Sequence, residues 1–133
     1  MTIRPVPRFV SADIARAVHD RQLAEHGGLA GVKDNGLLES AIARPINRFS
    51  YGEDDLYILA GSLAFGIARN HPFADGNKRT AWVAARLFLK LNDVAIRFEK
   101  QEAIAFMLAV ASGERTEEEI ADWFRDHSEP SIE

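Results

Sequence analysis

Residues 69–80 combine a histidine, a carboxylate, a glycine, an asparagine and several cations in one short segment, Arg-Asn-His-Pro-Phe-Ala-Asp-Gly-Asn-Lys-Arg-Thr. Histidine is the residue type most often used as a general base, so His71 is a candidate to take a proton from an incoming hydroxyl. Asp75 is the type of ligand that Mg²⁺ combines with substrate phosphates. These residue types favour metal-assisted chemistry on a phosphate ester, with a histidine as the base.

The segment runs into the N-terminus of a predicted helix, where unpaired N–H groups and the helix dipole favour an anion. Gly76 permits a positive φ or a close approach of the backbone to an anion. Lys78 and Arg79 fall in the first helical turn, which is the wrong end of a helix for cations unless an anion binds there. Arginine also holds phosphate oxygens with its planar fork. We therefore expect an anion at this helix start.

Each residue of the segment also has a purely structural interpretation. His71 could cap the C-terminus of the preceding helix, Asp75 could be the N-cap of the following helix, and Asn77 could be a turn residue. Phe73 is expected to anchor the segment in the core rather than to contact a ligand. Taken singly, most of these residues fit the structural interpretation, but the pair of cations fits it poorly.

The composition is that of an ordinary globular domain. Of the 133 residues, 47% are apolar, 27% are charged and none is cysteine, which excludes a disulfide scaffold and a thiolate zinc site. The sequence contains no run of about 18 apolar residues that would cross a membrane, and its start lacks the apolar stretch of a signal peptide. We expect one domain over residues 1–133, in the cytoplasm and without membrane contact.

The charge distribution argues against direct nucleic-acid binding. Residues 114–133 contain eight acids and two arginines, a net charge of −6. Because the whole chain carries −4, the first 113 residues carry a surplus of two positive charges. Such a surplus suits an anionic small molecule but is too weak to predict a DNA-binding face.

Periodicity and capping residues predict about six helices. In chain order they run from the N-cap Ser11 to about His26, from the cap Asp34 to Pro45, which interrupts or ends the helix, from Asp55 to about Asn70, from about Asn77 to Asn92, from about Gln101 to Ser112, and from Thr116 to near His127. The first carries Ile14, Val18 and Leu23 at roughly helical spacing, and the sixth starts with a capping-box pattern of Thr116 and Glu119.

Residues 94–98 alternate apolar and other side chains but are too few to predict a sheet. The middle of the fourth helix is apolar nearly all round, as expected of a central buried helix. The prediction is therefore an all-α bundle, in which the polar segment forms a loop that leads into this central helix.

The same segment resembles the signature of the Fic/Doc superfamily, roughly His-Pro-Phe-x-Asp/Glu-Gly-Asn-Gly/Lys-Arg. Eight positions of this signature match: His71, Pro72, Phe73, Asp75, Gly76, Asn77, Lys78 and Arg79. The chain is closer to the Doc (death-on-curing) toxin branch than to the AMP-transferring Fic branch. It has Lys78 where Fic enzymes usually have glycine, and Trp82 where they often have a further arginine. Residues 26–45 and the helix before His71 are similar too, so the resemblance covers about residues 10–125.

The resemblance implies a compact all-helical fold and a toxin of a toxin–antitoxin pair. Doc-like toxins transfer the γ-phosphate of ATP to a threonine of elongation factor Tu, which inhibits translation. A small antitoxin of the prevent-host-death type holds them in check. The alternatives are Fic-type transfer of AMP to a protein hydroxyl and a non-catalytic binding domain.

Regulation by an external partner is also implied. Many Fic proteins inhibit themselves through a motif that ends in glutamate followed by glycine or asparagine. No glutamate of this chain is followed by either residue. An antitoxin is therefore expected to supply the inhibition, and a helix bound in a groove is a suitable mode for it.

Carried over position by position, the resemblance assigns catalytic and metal-binding roles to three residues. His71 would be the base that deprotonates the target threonine. Asp75 would hold Mg²⁺ (magnesium) against the ATP phosphates. Arg79 would stabilise the charge on the transferring group.

The resemblance assigns the neighbouring residues to phosphate binding. Gly76 and Asn77 would line the anion hole, and Arg79 would contribute to it. Lys78 would fill the space of the second glycine of Fic enzymes and bias the nucleotide toward the phosphate-transfer orientation. Arg69 is close enough in sequence to contact the nucleotide, although a cation at a helix C-terminus has a structural explanation of its own.

Overall fold

The computed structural model describes residues 4–129, and six α-helices form most of this part of the chain. They are α1 (Ala12–His26), α2 (Asn35–Ser50), α3 (Leu56–Asn70), α4 (Asn77–Leu91), α5 (Lys100–Ala111) and α6 (Glu117–Asp126). Strand-like pairing among these residues is limited to two isolated bridges, Val32 with Phe73 and Ile96 with Ser128. The fold is all-α, as predicted. Within residues 4–129, no helix is both long enough and apolar enough to cross a membrane.

The predicted helix starts are confirmed by their caps. The side chains of Ser11, Asp34 and Thr116 each accept the N–H of the residue three positions on. Asp55 caps α3 in the same manner, and Thr116 forms the predicted capping box with Glu119. Each cap satisfies N–H groups that the helix itself leaves unpaired. Local sequence signals therefore determine these boundaries.

The second helix is longer than predicted, because Pro45 neither ends nor interrupts it. α2 continues to Ser50 with Pro45 buried inside it. A proline in a helix interior costs about 3 kcal/mol, since its ring removes a backbone hydrogen bond. The buried face of α2 packs closely on α3, where Ala41 approaches Gly66. The apolar area buried along this contact offsets the cost, so tertiary packing overrides the local signal.

α3 is the most enclosed helix and packs against α2, α4 and α6. All residues from Leu59 to Ala64 are buried. Glycines allow the neighbouring backbones to approach closely: a Cβ at Gly61 would stand 2.9 Å from the carbonyl oxygen of Glu117 in α6. This close packing holds the C-terminus of α3, from which the motif segment continues, in a fixed position.

α4 lies beside α3 and exposes only three residues, Lys78, Arg79 and Lys90. Its buried residues are Asn77, Thr80, Ala81, Ala84, Ala85, Phe88 and Leu89. The prediction that this helix is largely buried is confirmed, although α3 and not α4 is the more enclosed of the two. Two of the three exposed cations therefore stand at its N-terminus, directly after the motif segment.

Residues 94–98 attach the end of α6 to the bundle and form no sheet. The Arg97 N–H donates to the His127 carbonyl (2.8 Å), and the Glu129 N–H donates to the Ala95 carbonyl (2.9 Å). This outcome agrees with the prediction that the alternating stretch is too short for a sheet.

Asp55 tests how α3, the most enclosed helix, is held. Its carboxylate caps α3 through the Tyr57 N–H (2.8 Å) and pairs with Arg125 of α6. We expect Asp55→Ala to lower the free energy of unfolding by about 1–2 kcal/mol, mainly through loss of the cap. Asp55→Asn keeps an acceptor for the cap and loses only a partly exposed ion pair, so its loss should stay below about 1 kcal/mol. Urea unfolding measures both, and equal losses would contradict the dominance of the cap.

Candidate active site

The loop between α3 and α4, residues 71–76, is called the motif loop, and both of its ends have a left-handed backbone. His71 closes α3 with φ 50°, and its N–H donates to the Ile67 carbonyl (3.2 Å). Gly76 precedes α4 with φ 73°. The left-handed conformation costs a residue other than glycine about 1–2 kcal/mol. The interpretation of His71 as a helix C-cap is confirmed, and the residue is exposed.

The side chain of Asn77 fastens the motif loop to the first turn of α4. Its Oδ1 accepts the Phe73 N–H and its Nδ2 donates to the Phe73 carbonyl, both at 3.0 Å. Both residues are buried, and Phe73 is among the largest fully buried side chains. The prediction that Phe73 anchors the segment is confirmed. Because the Asn77 amide is committed to the loop, its contribution to an anion site would be its backbone N–H.

The N-terminus of α4 has no side-chain cap. Gly76 occupies the N-cap position, and Asp75 uses its Oδ1 to accept the Gly76 N–H (2.8 Å). The interpretation of Asp75 as the N-cap is therefore wrong. The N–H groups of Asn77, Lys78 and Arg79 belong to the first turn, where a helix supplies no acceptor of its own. These donors and the helix dipole make a site for an anion.

Asp75 is held from the other side by residues 27–33, the glycine loop between α1 and α2. Its Oδ2 accepts the Leu29 N–H (3.4 Å), and a Cβ at Gly28 would stand 2.8 Å from the same oxygen. Gly28 has φ 123°, a conformation that favours glycine. The carboxylate is exposed and each oxygen accepts one N–H, so lone pairs remain for a cation.

Asp75 is a single accessible carboxylate beside the anion site, and its fit to a metal ion follows from its surroundings. Among residues 4–129, no group of three or more His, Asp or Glu residues is placed to hold a metal ion. Mg²⁺ is commonly bound by one or two carboxylates together with substrate phosphates and water. One accessible carboxylate beside an anion site fits that pattern.

Backbone hydrogen bonds join the glycine loop to the motif loop. The Lys33 N–H donates to the Pro72 carbonyl (2.8 Å), and the Ala74 N–H donates to the Gly31 carbonyl (3.1 Å). Polar backbone groups near a core need such partners. The two loops therefore support each other, and the position of Asp75 depends on both.

An open pocket of about 620 Å³ lies over the start of α4. It is lined by His71, Ala74, Asp75, Gly76, Asn77, Lys78 and Arg79, and from the end of α5 by Leu108, Ala111 and Ser112. All six residues that the sequence predicts for the site thus share one pocket. Its volume falls in the range typical of small-molecule sites.

Lys78 and Arg79 bring positive charge to this pocket without a neutralising neighbour. Eight of the twelve arginines, all within the described residues, pair with a carboxylate. Within residues 4–129, neither Lys78 nor Arg79 forms such a pair. Two unpaired cations at the positive end of a helix repel the dipole. An anion bound between them removes that repulsion.

Comparison with known proteins agrees with this geometry. The profile of the Fic/DOC family matches residues 9–89, more than half of the chain. The chain belongs to the Fic/Doc family. A protein named Protein kinase doc, from Escherichia phage P1, is 36% identical over 119 residues, which cover 89% of this chain and 94% of that protein. A protein named Toxin Doc, from Mycolicibacterium smegmatis, is 45% identical over 91 residues, which cover 65% of this chain and 69% of that protein. The resemblance to the Doc branch is confirmed.

Arg69 does not line the pocket of this Fic/Doc chain. Its guanidinium lies against Gly113, so closely that a Cβ added there would clash with Nη1. The guanidinium carbon is 5.8 Å from the Phe65 ring centroid. The arginine therefore packs at the C-terminal end of α3. This position supports the structural explanation of Arg69 rather than contact with a ligand.

Sequence reasoning missed the contribution of α1. The buried residues of this helix are Ala15, His19 and Gln22, two of which are polar. The apolar residues noted from their spacing are exposed or only partly buried. Positions 15, 19 and 22 follow the i, i+4, i+7 spacing of one helix face. A search for apolar residues at this spacing does not detect the face, because two of its three residues are polar. The α5 residues of the pocket carry no local signal at all.

A second cavity of about 520 Å³, called the α4–α5 groove, continues from the pocket and shares Lys78, Arg79 and Leu108 with it. The other lining residues are Gln22, His26, Trp82, Val83, Arg86, Phe98, Lys100, Ala103, Ile104 and Met107. The surface of the groove is mainly apolar, with cations along it. The Arg86 guanidinium lies 4.6 Å from the Phe98 ring centroid, and burial lowers the pKa of Arg86.

Asn77 provides a test of the loop anchor. We expect Asn77→Ala to lower the free energy of unfolding by at least about 2 kcal/mol, because the N–H and carbonyl of buried Phe73 lose their partners. Asn35→Ala removes an exposed amide that accepts from the half-buried Arg16 guanidinium, and it should change stability by less than about 0.5 kcal/mol. Urea unfolding of both variants compares the losses. Equal small losses would show that the loop does not depend on this amide.

Proposed function

We propose that this chain is the toxin of a toxin–antitoxin pair and acts as a protein kinase. It would transfer the γ-phosphate of ATP to a threonine hydroxyl of a translation factor, elongation factor Tu, and so inhibit translation. The observation that carries this proposal is the uncapped start of α4, which shares one pocket with Lys78, Arg79, Asp75 and His71. The names of the two relatives, a protein kinase and a toxin, support the same class of activity.

Phosphate binding is assigned to the start of α4. The first-turn N–H groups, beginning with Asn77, donate to phosphate oxygens, and the left-handed Gly76 allows the backbone to lie close to them. Lys78 and Arg79 contribute the positive charge. Phosphoryl transfer depends on positioning and charge stabilisation more than on covalent chemistry. Arg79 suits the transferring group, because its planar fork binds two oxygens at once.

His71 is assigned as the general base. This histidine is exposed and lines the same pocket as the phosphate-binding residues. In the proposed reaction, the imidazole takes the proton of the target threonine hydroxyl. The threonine oxygen then forms a bond to the γ-phosphorus. The bond from that phosphorus to the oxygen that bridges the β- and γ-phosphates breaks, and ADP leaves with this oxygen.

Asp75 is assigned to magnesium. Its carboxylate is exposed, positioned by two backbone N–H groups and adjacent to the anion site. When bound, Mg²⁺ supplies charge neutralisation at the phosphate oxygens. The glycine loop contributes by keeping the carboxylate in place.

Two rivals remain distinct from this proposal. In the first, the same pocket transfers AMP to a protein hydroxyl, with Lys78 tolerated in the place of the Fic glycine. In the second, the chain binds a partner or a nucleotide without catalysis. The presence of His71, Asp75 and Arg79 together in one pocket argues against the second rival, because a domain that only binds does not need a base beside the phosphate site.

Labelled ATP separates these reactions. The purified chain, Mg²⁺ and elongation factor Tu are incubated with ATP labelled on either the γ- or the α-phosphate. We expect label only from the γ-phosphate, and a rate lower by about 10²–10⁴-fold in His71→Ala, because a general base contributes that much.

The control for this assay is His127→Gln. His127 lies at the end of α6, where its Nδ1 bonds the Trp123 carbonyl, and it does not line the pocket. This variant should keep the wild-type rate. Label from the α-phosphate would replace the kinase proposal with AMP transfer. Absence of both labels, with toxicity retained in His71→Ala, would favour the non-catalytic rival.

The proposed partner is an antitoxin of the prevent-host-death type, bound in the α4–α5 groove. Ile104 and Leu108 line this groove and are 50% and 51% exposed, and with the other apolar lining residues they form a continuous apolar surface of the kind that marks interaction sites. The cations along the groove suit an acidic amphipathic helix. Because Lys78 and Arg79 belong to the groove and to the pocket, such a helix would cover the phosphate-binding cations.

Ile104→Glu tests the groove. A carboxylate buried against an apolar helix face is costly, so we expect the affinity for the co-encoded antitoxin to fall by about tenfold or more. Phosphate transfer should remain unchanged, because Ile104 does not line the pocket. Ile46→Glu, on α2, is the matched control, since Ile46 is also an exposed isoleucine. Calorimetric titration compares the variants, and equal affinities would exclude this groove as the antitoxin site.

A further inference from the structure

α1 carries a buried histidine that the proposed reaction does not use. His19 is 1% exposed, and its ring stacks on Phe73 with 3.9 Å between centroids and 8° between planes. Its Nε2 lies 2.8 Å from the carbonyl oxygen of Asp75. A carbonyl oxygen only accepts hydrogen bonds, so the proton of this ring belongs on Nε2. The other ring nitrogen stands 4.0 Å from the Asp20 carboxylate, beyond hydrogen-bond distance.

His19 holds a part of the motif loop that Asn77 does not reach. Asn77 fastens the backbone of Phe73, two residues before Asp75. His19 bonds the carbonyl of the peptide group that joins Asp75 to Gly76. A Cβ at Gly76 would stand 3.8 Å from the imidazole, so the ring also lies along this glycine.

The Asp75–Gly76 peptide connects two functions of the site. On one side it carries the carboxylate assigned to magnesium, and on the other it leads into the first N–H groups of α4. A peptide group is planar and rigid, and the N–H of this group donates to the Asp75 carboxylate (2.8 Å). A rotation of the group therefore removes a hydrogen bond that orients the carboxylate and changes φ at the N-cap residue Gly76. Errors of about 1 Å in such placement reduce catalysis by about 10²-fold.

We infer that His19 is a positioning residue of the phosphate site. Its Nε2–H, donated to the Asp75 carbonyl, orients the Asp75–Gly76 peptide so that the carboxylate and the start of α4 act on the same Mg²⁺-bound nucleotide. This inference rests on the proposed function, because it assigns a purpose to the geometry of that site. The competing explanation is that His19 only fills the core against Phe73.

A pair of nearly isosteric variants separates the hydrogen bond from the packing. His19→Gln places an amide donor near the position of the imidazole Nε2, whereas His19→Met has a similar length and no donor. His19→Phe adds a third comparison, since it keeps an aromatic ring on Phe73 and removes the donor. Urea unfolding records the stability of each variant, so that a loss of packing is measured separately.

The first readout is binding of ATP in the presence of Mg²⁺, measured by calorimetric titration without any protein substrate. We expect His19→Met and His19→Phe to bind Mg²⁺–ATP about tenfold or more weakly than wild type, as loss of one buried hydrogen bond implies. His19→Gln should stay within about threefold of wild type. With the protein substrate present, the same order is expected in kcat more than in KM, because orientation rather than affinity alone is lost.

The second readout does not require a nucleotide. The Gly76 N–H donates to the Asp75 side chain (2.8 Å), and its hydrogen exchange reports the order of this peptide. We expect faster exchange at Gly76 in His19→Met and His19→Phe but not in His19→Gln. The Ala103 amide, in the first turn of α5 and bonded to the Glu99 carbonyl, serves as the control and should not change.

The possible outcomes distinguish failure of the His19 inference from failure of the kinase proposal. Unchanged Mg²⁺–ATP affinity and unchanged Gly76 exchange in His19→Met and His19→Phe would overturn it, as would equal losses in His19→Gln and His19→Met. If wild type transfers neither label, the kinase proposal fails, and Gly76 exchange still decides whether His19 orders the peptide. If His19→Phe does not fold, the comparison of His19→Gln with His19→Met carries the test alone.

Discussion

The two hydrogen bonds between the Asn77 side chain and the backbone of Phe73 are the interaction on which the site depends. They fasten Phe73, within the six-residue motif loop, to the first residue of α4. The loop thereby joins two helices whose directions are set by their packing in the core. Once Phe73 is buried and fastened, His71 is held at one end of the loop and the start of α4 at the other. His19 then secures the peptide that lies beyond this anchor.

The site also carries features that destabilise the fold on their own. His71 adopts a left-handed backbone, α4 starts without a side-chain cap, and Lys78 and Arg79 stand at the positive end of that helix. Unfavourable charge at a helix terminus costs about 0.3–1 kcal/mol per residue. The enclosed core of α3 and α4 outweighs these costs. Such conflicts between local preference and structure are expected where a ligand completes the site.

The pocket and the α4–α5 groove share the same cations, which links the proposed catalysis to the proposed inhibition. In the proposals above, a nucleotide in the pocket would bind Lys78 and Arg79, and an acidic helix in the groove would bind the same two side chains. Electrostatic complementarity of this kind also directs encounter between partners. In this arrangement, one pair of side chains would serve both binding events, and the two would compete.

The sequence by itself determined the helix starts, the all-α class, the family and the short segment that carries the six candidate site residues, because caps and motifs act over a few neighbouring positions. Tertiary structure alone decided the passage of α2 through Pro45, the buried polar face of α1, the partners of Asp75 and the α5 wall of the pocket. Each of these depends on contacts between segments far apart in the chain: Asp75 lies 46 residues from Leu29 and 56 from His19. Local preferences of about 1–3 kcal/mol are overridden where such packing buries enough apolar surface.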